Sequence, residues 1–89
     1  MRHRDRIDII SLILQAANGD NVTKTKIIYK TFLGYDQLKE FLTVLTDNDL
    51  LCYDFLGHTF KTTEKGLRFL KTYNQMDQMI RVPQIQRHI

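Results

Sequence analysis

The chain has 89 residues, 43% of them hydrophobic, and a formal net charge of +3. This length supports one compact core and leaves too little for a second domain. Cys52 is the single cysteine, which excludes an intramolecular disulfide and fits a reducing, cytoplasmic location. The apolar stretch over residues 7–17 is interrupted by polar residues and is shorter than the roughly 20 residues of a membrane span. We therefore expect a soluble protein without a membrane partner.

The charges are unevenly distributed. Residues 1–34 carry a net +3, residues 35–54 carry −4, and residues 55–89 carry +4. The basic balance favours binding to a polyanion, although many proteins with other roles share it. The distribution indicates basic flanks around an acidic middle.

Three helices are predicted in the first half of the chain. The first covers residues 4–18 and ends at Asn18-Gly19; its polar residues form one narrow stripe, which indicates burial on more than one side. The second covers residues 24–31 and is capped by Thr23. The third covers residues 35–48 and has the clearest pattern, because its leucines and phenylalanine recur at spacings of 3, 4 and 7 residues.

A hairpin and a long helix are predicted in the second half. Residues 50–56 and 58–62 are rich in strand formers and are separated by Gly57, which indicates a tight β-hairpin. The last helix opens with Thr63 and Glu64, is capped by Thr62 or Thr63, and continues to about residue 81, before Pro83 stops it. We predict an α+β, mostly helical fold over residues 1–82: a winged helix-turn-helix with a three-helix core, a two-stranded wing and a long C-terminal helix. Residues 83–89 are expected to be a loose tail.

Four short segments resemble a known family. They are KTKIIY over residues 24–29, YDQLK over residues 35–39, Leu50-Leu51, and the hairpin from Leu56-Gly57 to Thr62-Thr63-Glu64-Lys65-Gly66. Over residues 4–80 the chain is similar to small archaeal winged-helix proteins of the ArnR-like type, which are related to archaeal chromatin-associated winged-helix dimers. The resemblance implies DNA binding, with the third helix in the major groove and the fourth helix paired with its copy. Gly34 departs from the serine or threonine that such proteins often carry, so no hydroxyl contact to phosphate is expected there.

The candidate DNA-binding residues lie on three elements. The second helix offers lysines four residues apart for phosphates, and the first turn of the third helix offers side chains for base edges. The exposed face of the third helix, however, carries three acids and one lysine. The candidates are Lys24, Lys26, Tyr29 and Lys30 on the second helix, Tyr35, Gln37, Lys39 and Thr43 on the third, and His58 and Lys61 on the wing. An ordinary solvated surface is the alternative interpretation of each.

The last helix carries the dimerisation candidates. Phe69, Tyr73, Met76 and Ile80 form an apolar stripe at helical spacing. The stripe either packs on the domain's own core or, in its later half, forms a homodimer seam. We expect the seam, because the first helix is apolar nearly all round and the last helix is long for so small a domain.

No catalytic or metal site is predicted. His3, His58 and His88 are scattered along the chain, and paired acids and a phosphate-binding loop are absent from the sequence. We expect no cofactor and no small-molecule substrate. The predicted function is that of a homodimeric transcriptional regulator bound to double-stranded DNA; the alternative is a protein-interaction module that binds no DNA, which the acidic third helix would suit.

Overall fold

The computed structural model describes residues 5–80, and its elements follow the predicted order. Helices α1 (Arg6–Ala16), α2 (Lys24–Thr31) and α3 (Tyr35–Asp47) are followed by strands β1 (Leu51–Asp54) and β2 (Thr59–Thr62) and by helix α4 (Glu64–Ile80). This arrangement confirms the predicted α+β winged helix-turn-helix class, with β1 and β2 as the wing. The predicted tail, the helix end near residue 81, His3 and His88 lie outside the described residues.

Side-chain caps begin the first two helices. The Asp5 carboxylate accepts a hydrogen bond from the Asp8 N–H at 3.1 Å, and the Thr23 hydroxyl accepts one from the Lys26 N–H at 3.1 Å. The cap at Thr23 is the predicted one, whereas the cap at Asp5 makes α1 begin later than expected. Helix α3 begins after Gly34 and has no side-chain cap.

The core lies between α1, α2, α3 and the base of the wing. Ile13, Leu14, Ile27, Leu38 and Leu45 have almost no exposed surface. Leu38 and Leu45 are seven residues apart, which is the periodicity seen in the sequence of α3, and they share one core with the buried residues of α1.

The wing is shorter than its sequence pattern indicated. β1 ends at Asp54 and β2 begins at Thr59, in the antiparallel register Leu51↔Thr62 to Asp54↔Thr59. The Asp54 carboxylate accepts the Leu56 N–H at 3.1 Å, and His58 adopts a left-handed φ of 54°. These local features turn the chain over residues 55–58, so the predicted strands at 50–56 and 58–62 were too long.

The base of the wing is joined to the connection between α1 and α2. Val22 and Phe60 form a two-way bridge, with N–H to O distances of 2.9 and 2.7 Å. The Thr62 N–H donates to the Ala17 carbonyl at 3.0 Å, and the buried Thr62 hydroxyl donates to the Leu14 carbonyl at 2.7 Å. The bridge was not predicted, and it fixes the wing relative to the start of α2.

Candidate nucleic-acid interface

A cleft of about 510 Å³ opens between the start of α2, the side of α3 and the wing. It is polar at its mouth and apolar at its floor, where Leu42 and Phe60 are buried. Each wall comes from a different part of the chain. The lining residues are Thr23, Lys24 and Thr25 from the start of α2, Lys39, Leu42, Thr43 and Thr46 from α3, and Tyr53, His58 and Phe60 from the wing.

The lining of the cleft is cationic, although α3 as a whole is not. Lys24, Lys39 and four threonines line it, and none of its lining residues within 5–80 is acidic. The Thr43 and Thr46 hydroxyls donate hydrogen bonds to carbonyls of α3 itself. In a helix with 3.6 residues per turn, Lys39, Thr43 and Thr46 share one stripe. The acids Asp36, Glu40 and Asp47 lie on the neighbouring stripe and do not line the cleft. The helix therefore turns its single lysine toward the wing.

Lys24 connects the start of α2 to the first turn of α3. Its side chain is half-buried, and its ammonium lies 5.4 Å from the centroid of the Tyr35 ring, within cation–π range. The positive end of the α2 dipole lies beside it, because α2 begins at the cleft. Two sources of positive potential therefore reinforce each other at this wall.

The opposite wall is held in place by contacts within the wing. The Tyr53 hydroxyl and His58 Nδ1 are 3.0 Å apart, and the Tyr53 ring packs on the Phe60 ring with centroids 4.8 Å apart. Tyr53 and Phe60 are partners in the strand register. The imidazole of His58 is thereby held at the rim, where it can meet an anion.

The cleft brings together Lys24, Lys39, Thr43 and His58 from the predicted DNA-binding set, and it leaves the others on the surrounding surface. Lys30 has an internal partner as well, because its ammonium lies 3.4 Å from the Ala16 carbonyl at the end of α1. Basic side chains near a helix C-terminus bind its last carbonyls in this way. The predicted residues that do not line the cleft are Lys26, Tyr29, Lys30, Tyr35, Gln37 and Lys61, all with exposed side chains.

Sequence reasoning missed Thr23, Thr25, Leu42, Thr46, Tyr53 and Phe60 as residues of the cleft. A signal was available for Thr46, which lies seven residues after Lys39 and so on its stripe of α3. Tyr53 and Phe60 could be placed only from the strand register and from the bridge that anchors the wing.

The apolar stripe of α4 divides into two parts. Phe69 is half-buried against the core, and the Tyr73 hydroxyl donates a hydrogen bond to the Asp8 carboxylate on α1. This bond, together with burial, raises the pKa of Tyr73 above its ordinary value of 10.0. Met76 is 55% exposed, and the side chain of Ile80 lies outside the described residues. The early part of the stripe therefore packs within the chain, and Met76 is free for another surface.

Within residues 5–80, no cluster of three or more histidine, cysteine, aspartate and glutamate side chains is arranged to hold a metal ion. The helices in this part of the chain are too short or too polar to cross a membrane. A family model described as winged helix-turn-helix matches residues 3–81. Curated proteins give no significant match to the chain.

Proposed function

This chain belongs to the winged helix-turn-helix family, and we propose that it binds double-stranded DNA as a homodimeric transcriptional regulator. Membership of the family indicates a DNA-binding regulator in general. The finer proposal rests chiefly on one observation: Lys24 and Lys39 line the cleft beside α3, whereas the carboxylates of the same helix do not.

The cleft suits the sugar–phosphate backbone of a duplex. An α-helix fits the major groove, which is about 12 Å wide. With the first turn of α3 in that groove, the strand that separates the major from the minor groove would run between α3 and the wing. Lys24 and Lys39 would then neutralise phosphates, while Tyr35 and Gln37, on opposite flanks of the first turn of α3, would reach base edges to either side. The acids of α3 lie outside the cleft, on the helix face that would point into the groove. There Asp36, in the first turn, would accept a hydrogen bond from cytosine N4, while the charge of the acids opposes binding to phosphates.

The homodimer is supported by the exposed end of α4. This helix has 17 residues, and residues 74–79 are all exposed. Among them, Met76 is 55% and Met79 is 78% exposed, which favours burial against a second copy. The resemblance to the ArnR-like proteins also implies pairing of this helix. To occupy successive major grooves, the two α3 helices of a two-fold dimer must lie about 34–36 Å apart.

The test is the fluorescence anisotropy of a labelled random duplex, titrated at several salt concentrations. The wild type should bind, and its affinity should fall steeply with salt because bound phosphates release counterions. The double variant Lys24→Ala with Lys39→Ala should bind more weakly. Its salt slope, the slope of log affinity against log salt concentration, should be smaller in magnitude by about two, one for each phosphate that the variant no longer neutralises.

The matched control is Arg68→Ala with Lys71→Ala, which removes the same charge from exposed positions on α4. It should retain the wild-type salt slope. Equal losses of affinity in both double variants would show that net charge, and not the cleft, governs binding. Failure of the wild type to bind at low salt would refute the proposal.

The alternative function, a protein-interaction module without DNA binding, also has an observation in its favour. Phe32 ends α2 in the left-handed conformation, with φ 60°, and is 85% exposed. A bulky aromatic side chain is uncommon in this conformation, and exposed aromatic residues often anchor protein interfaces. Absence of DNA binding at low salt would favour this function.

A further inference from the structure

The tip of the wing, residues 55–58, exposes two neighbouring apolar side chains. Phe55 is 79% exposed and Leu56 is 94% exposed. Neither belongs to the core cluster. They lie at the far end of a β-hairpin whose base is bonded to α1 and to Val22.

The tip is held by contacts from both strands. The Asp54 carboxylate accepts the Leu56 N–H at 3.1 Å, and the Phe55 ring meets the Tyr53 ring edge to face, with centroids 5.1 Å apart. Tyr53 is in turn packed on Phe60 and bonded to His58. A turn backbone and an aromatic ring that are already ordered lose little conformational entropy on binding, so these contacts favour insertion of Phe55 into a partner.

The tip is continuous with the cleft. Tyr53, His58 and Phe60 line the cleft, and Phe55 packs on Tyr53 without lining the cleft itself. A duplex whose backbone lies in the cleft therefore presents the groove beyond that backbone, the minor groove, to Phe55 and Leu56. This geometry favours DNA as the occupant of the exposed tip.

We propose that Phe55 and Leu56 form an apolar wedge that enters the minor groove, partly unstacks one base step and bends the DNA. The inference rests on the proposed DNA binding and adds a deformation to it. Phenylalanine and leucine are among the residues that proteins insert between base steps, and such wedges kink the duplex by about 20–90°.

The wedge would also influence which sequences are bound. The Phe55 and Leu56 side chains have no hydrogen-bonding groups and cannot read base edges. Their preference would follow the cost of unstacking, which is lowest at flexible pyrimidine–purine steps such as TA. The chain should therefore favour duplexes that contain these steps, without any base-specific hydrogen bond from the tip.

The test measures bending and binding in the same titration. A short duplex rich in TA steps carries a donor and an acceptor fluorophore at its ends, and energy transfer is followed together with anisotropy. At saturating wild-type protein, energy transfer should rise because the ends approach each other. A matched duplex without pyrimidine–purine steps should show a smaller rise and weaker binding.

Two variants test the wedge itself. Phe55→Ser with Leu56→Ser should bind about tenfold more weakly, because an apolar side chain no longer packs on a base, and most of the rise in energy transfer should disappear. Its salt slope should remain that of the wild type, because every phosphate-binding side chain is still present. Leu56→Ser alone changes a side chain that is 94% exposed, so it tests the wedge without disturbing the packing of Phe55 on Tyr53.

The control is Leu67→Ser, which removes an apolar side chain, 40% exposed, from α4 and should leave bending intact. If the wild type binds with a steep salt slope but does not bend the duplex, the wedge is wrong and DNA binding stands. The wedge is also overturned if the double variant bends DNA as the wild type does. If no DNA binds at low salt, the proposed function fails and the wedge fails with it.

Discussion

A methyl group at Gly66 should destabilise the fold, because α4 crosses the base of the wing at this residue with no room for a side chain. A Cβ at Gly66 would lie 2.5 Å from the Leu50 carbonyl oxygen and 2.6 Å from Thr62 Cγ2. The first of these neighbours is a backbone atom. Thr62 cannot turn away without cost, because its hydroxyl is bonded to the Leu14 carbonyl at 2.7 Å. Gly66→Ala must therefore move α4 or the wing.

The size of the effect follows from two opposing contributions. Alanine is favoured over glycine within a helix by about 1 kcal/mol, which would stabilise the variant. Overpacking of a tight site costs about 1–3 kcal/mol, and two approaches this close place Gly66→Ala at or beyond the upper end. We expect the free energy of unfolding to fall by about 2 kcal/mol, which in a domain of this size lowers Tm by roughly 10 °C.

The assay is urea and thermal unfolding followed by circular dichroism, with the urea m-value expected to stay constant. Gly34→Ala is the control, because a Cβ there meets nothing within 4 Å and only the N-cap preference of glycine, below about 1 kcal/mol, is removed. A Gly66→Ala variant as stable as the wild type would refute the close approach of α4 to Leu50.

Four further substitutions have distinct expected results. Lys26→Ala should weaken binding to all duplexes alike and lower the salt slope by about one, and its free energy of unfolding should be unchanged. Lys30→Ala should have the same effect on binding. It should in addition lower the free energy of unfolding in urea by about 0.5 kcal/mol, because the Lys30 ammonium lies 3.4 Å from a carbonyl at the end of α1. An unchanged affinity in both variants would remove Lys26 and Lys30 from the interface. Tyr73→Phe should lower the free energy of unfolding by about 1 kcal/mol, because the bond to Asp8 is removed. Because the pKa of Tyr73 is raised on folding, the stability of the wild type should fall as the pH rises above 10.0. The part of this fall that is due to Tyr73 should vanish in Tyr73→Phe. Identical pH profiles for the two proteins would contradict the bond between Tyr73 and Asp8. Gly34→Ser should add a hydroxyl cap to α3, raise the free energy of unfolding by a few tenths of a kcal/mol and raise Tm slightly. A lower Tm would show that α3 begins at another residue.

The sequence alone was sufficient for the elements and their order. The recurring apolar positions of α3, the Thr23 cap and the strand-rich runs on either side of the wing each depend on residues within one or two turns of the chain. Such signals are local, so they can be interpreted before the tertiary structure is known. The same reasoning placed the wing between α3 and a long last helix, which was enough to predict the fold class.

Only the tertiary structure decided which predicted residues act together. The Val22 bridge to Phe60 joins positions 38 residues apart, and a single bridging residue leaves no periodic pattern. This bridge brings the wing beside α2 and closes the cleft around Lys24 and Lys39. Lys30 resembled Lys26 in the sequence, and its bond to the end of α1 distinguishes the two. Periodicity reports which face of an element is apolar, but the partners of the polar face depend on how distant elements pack.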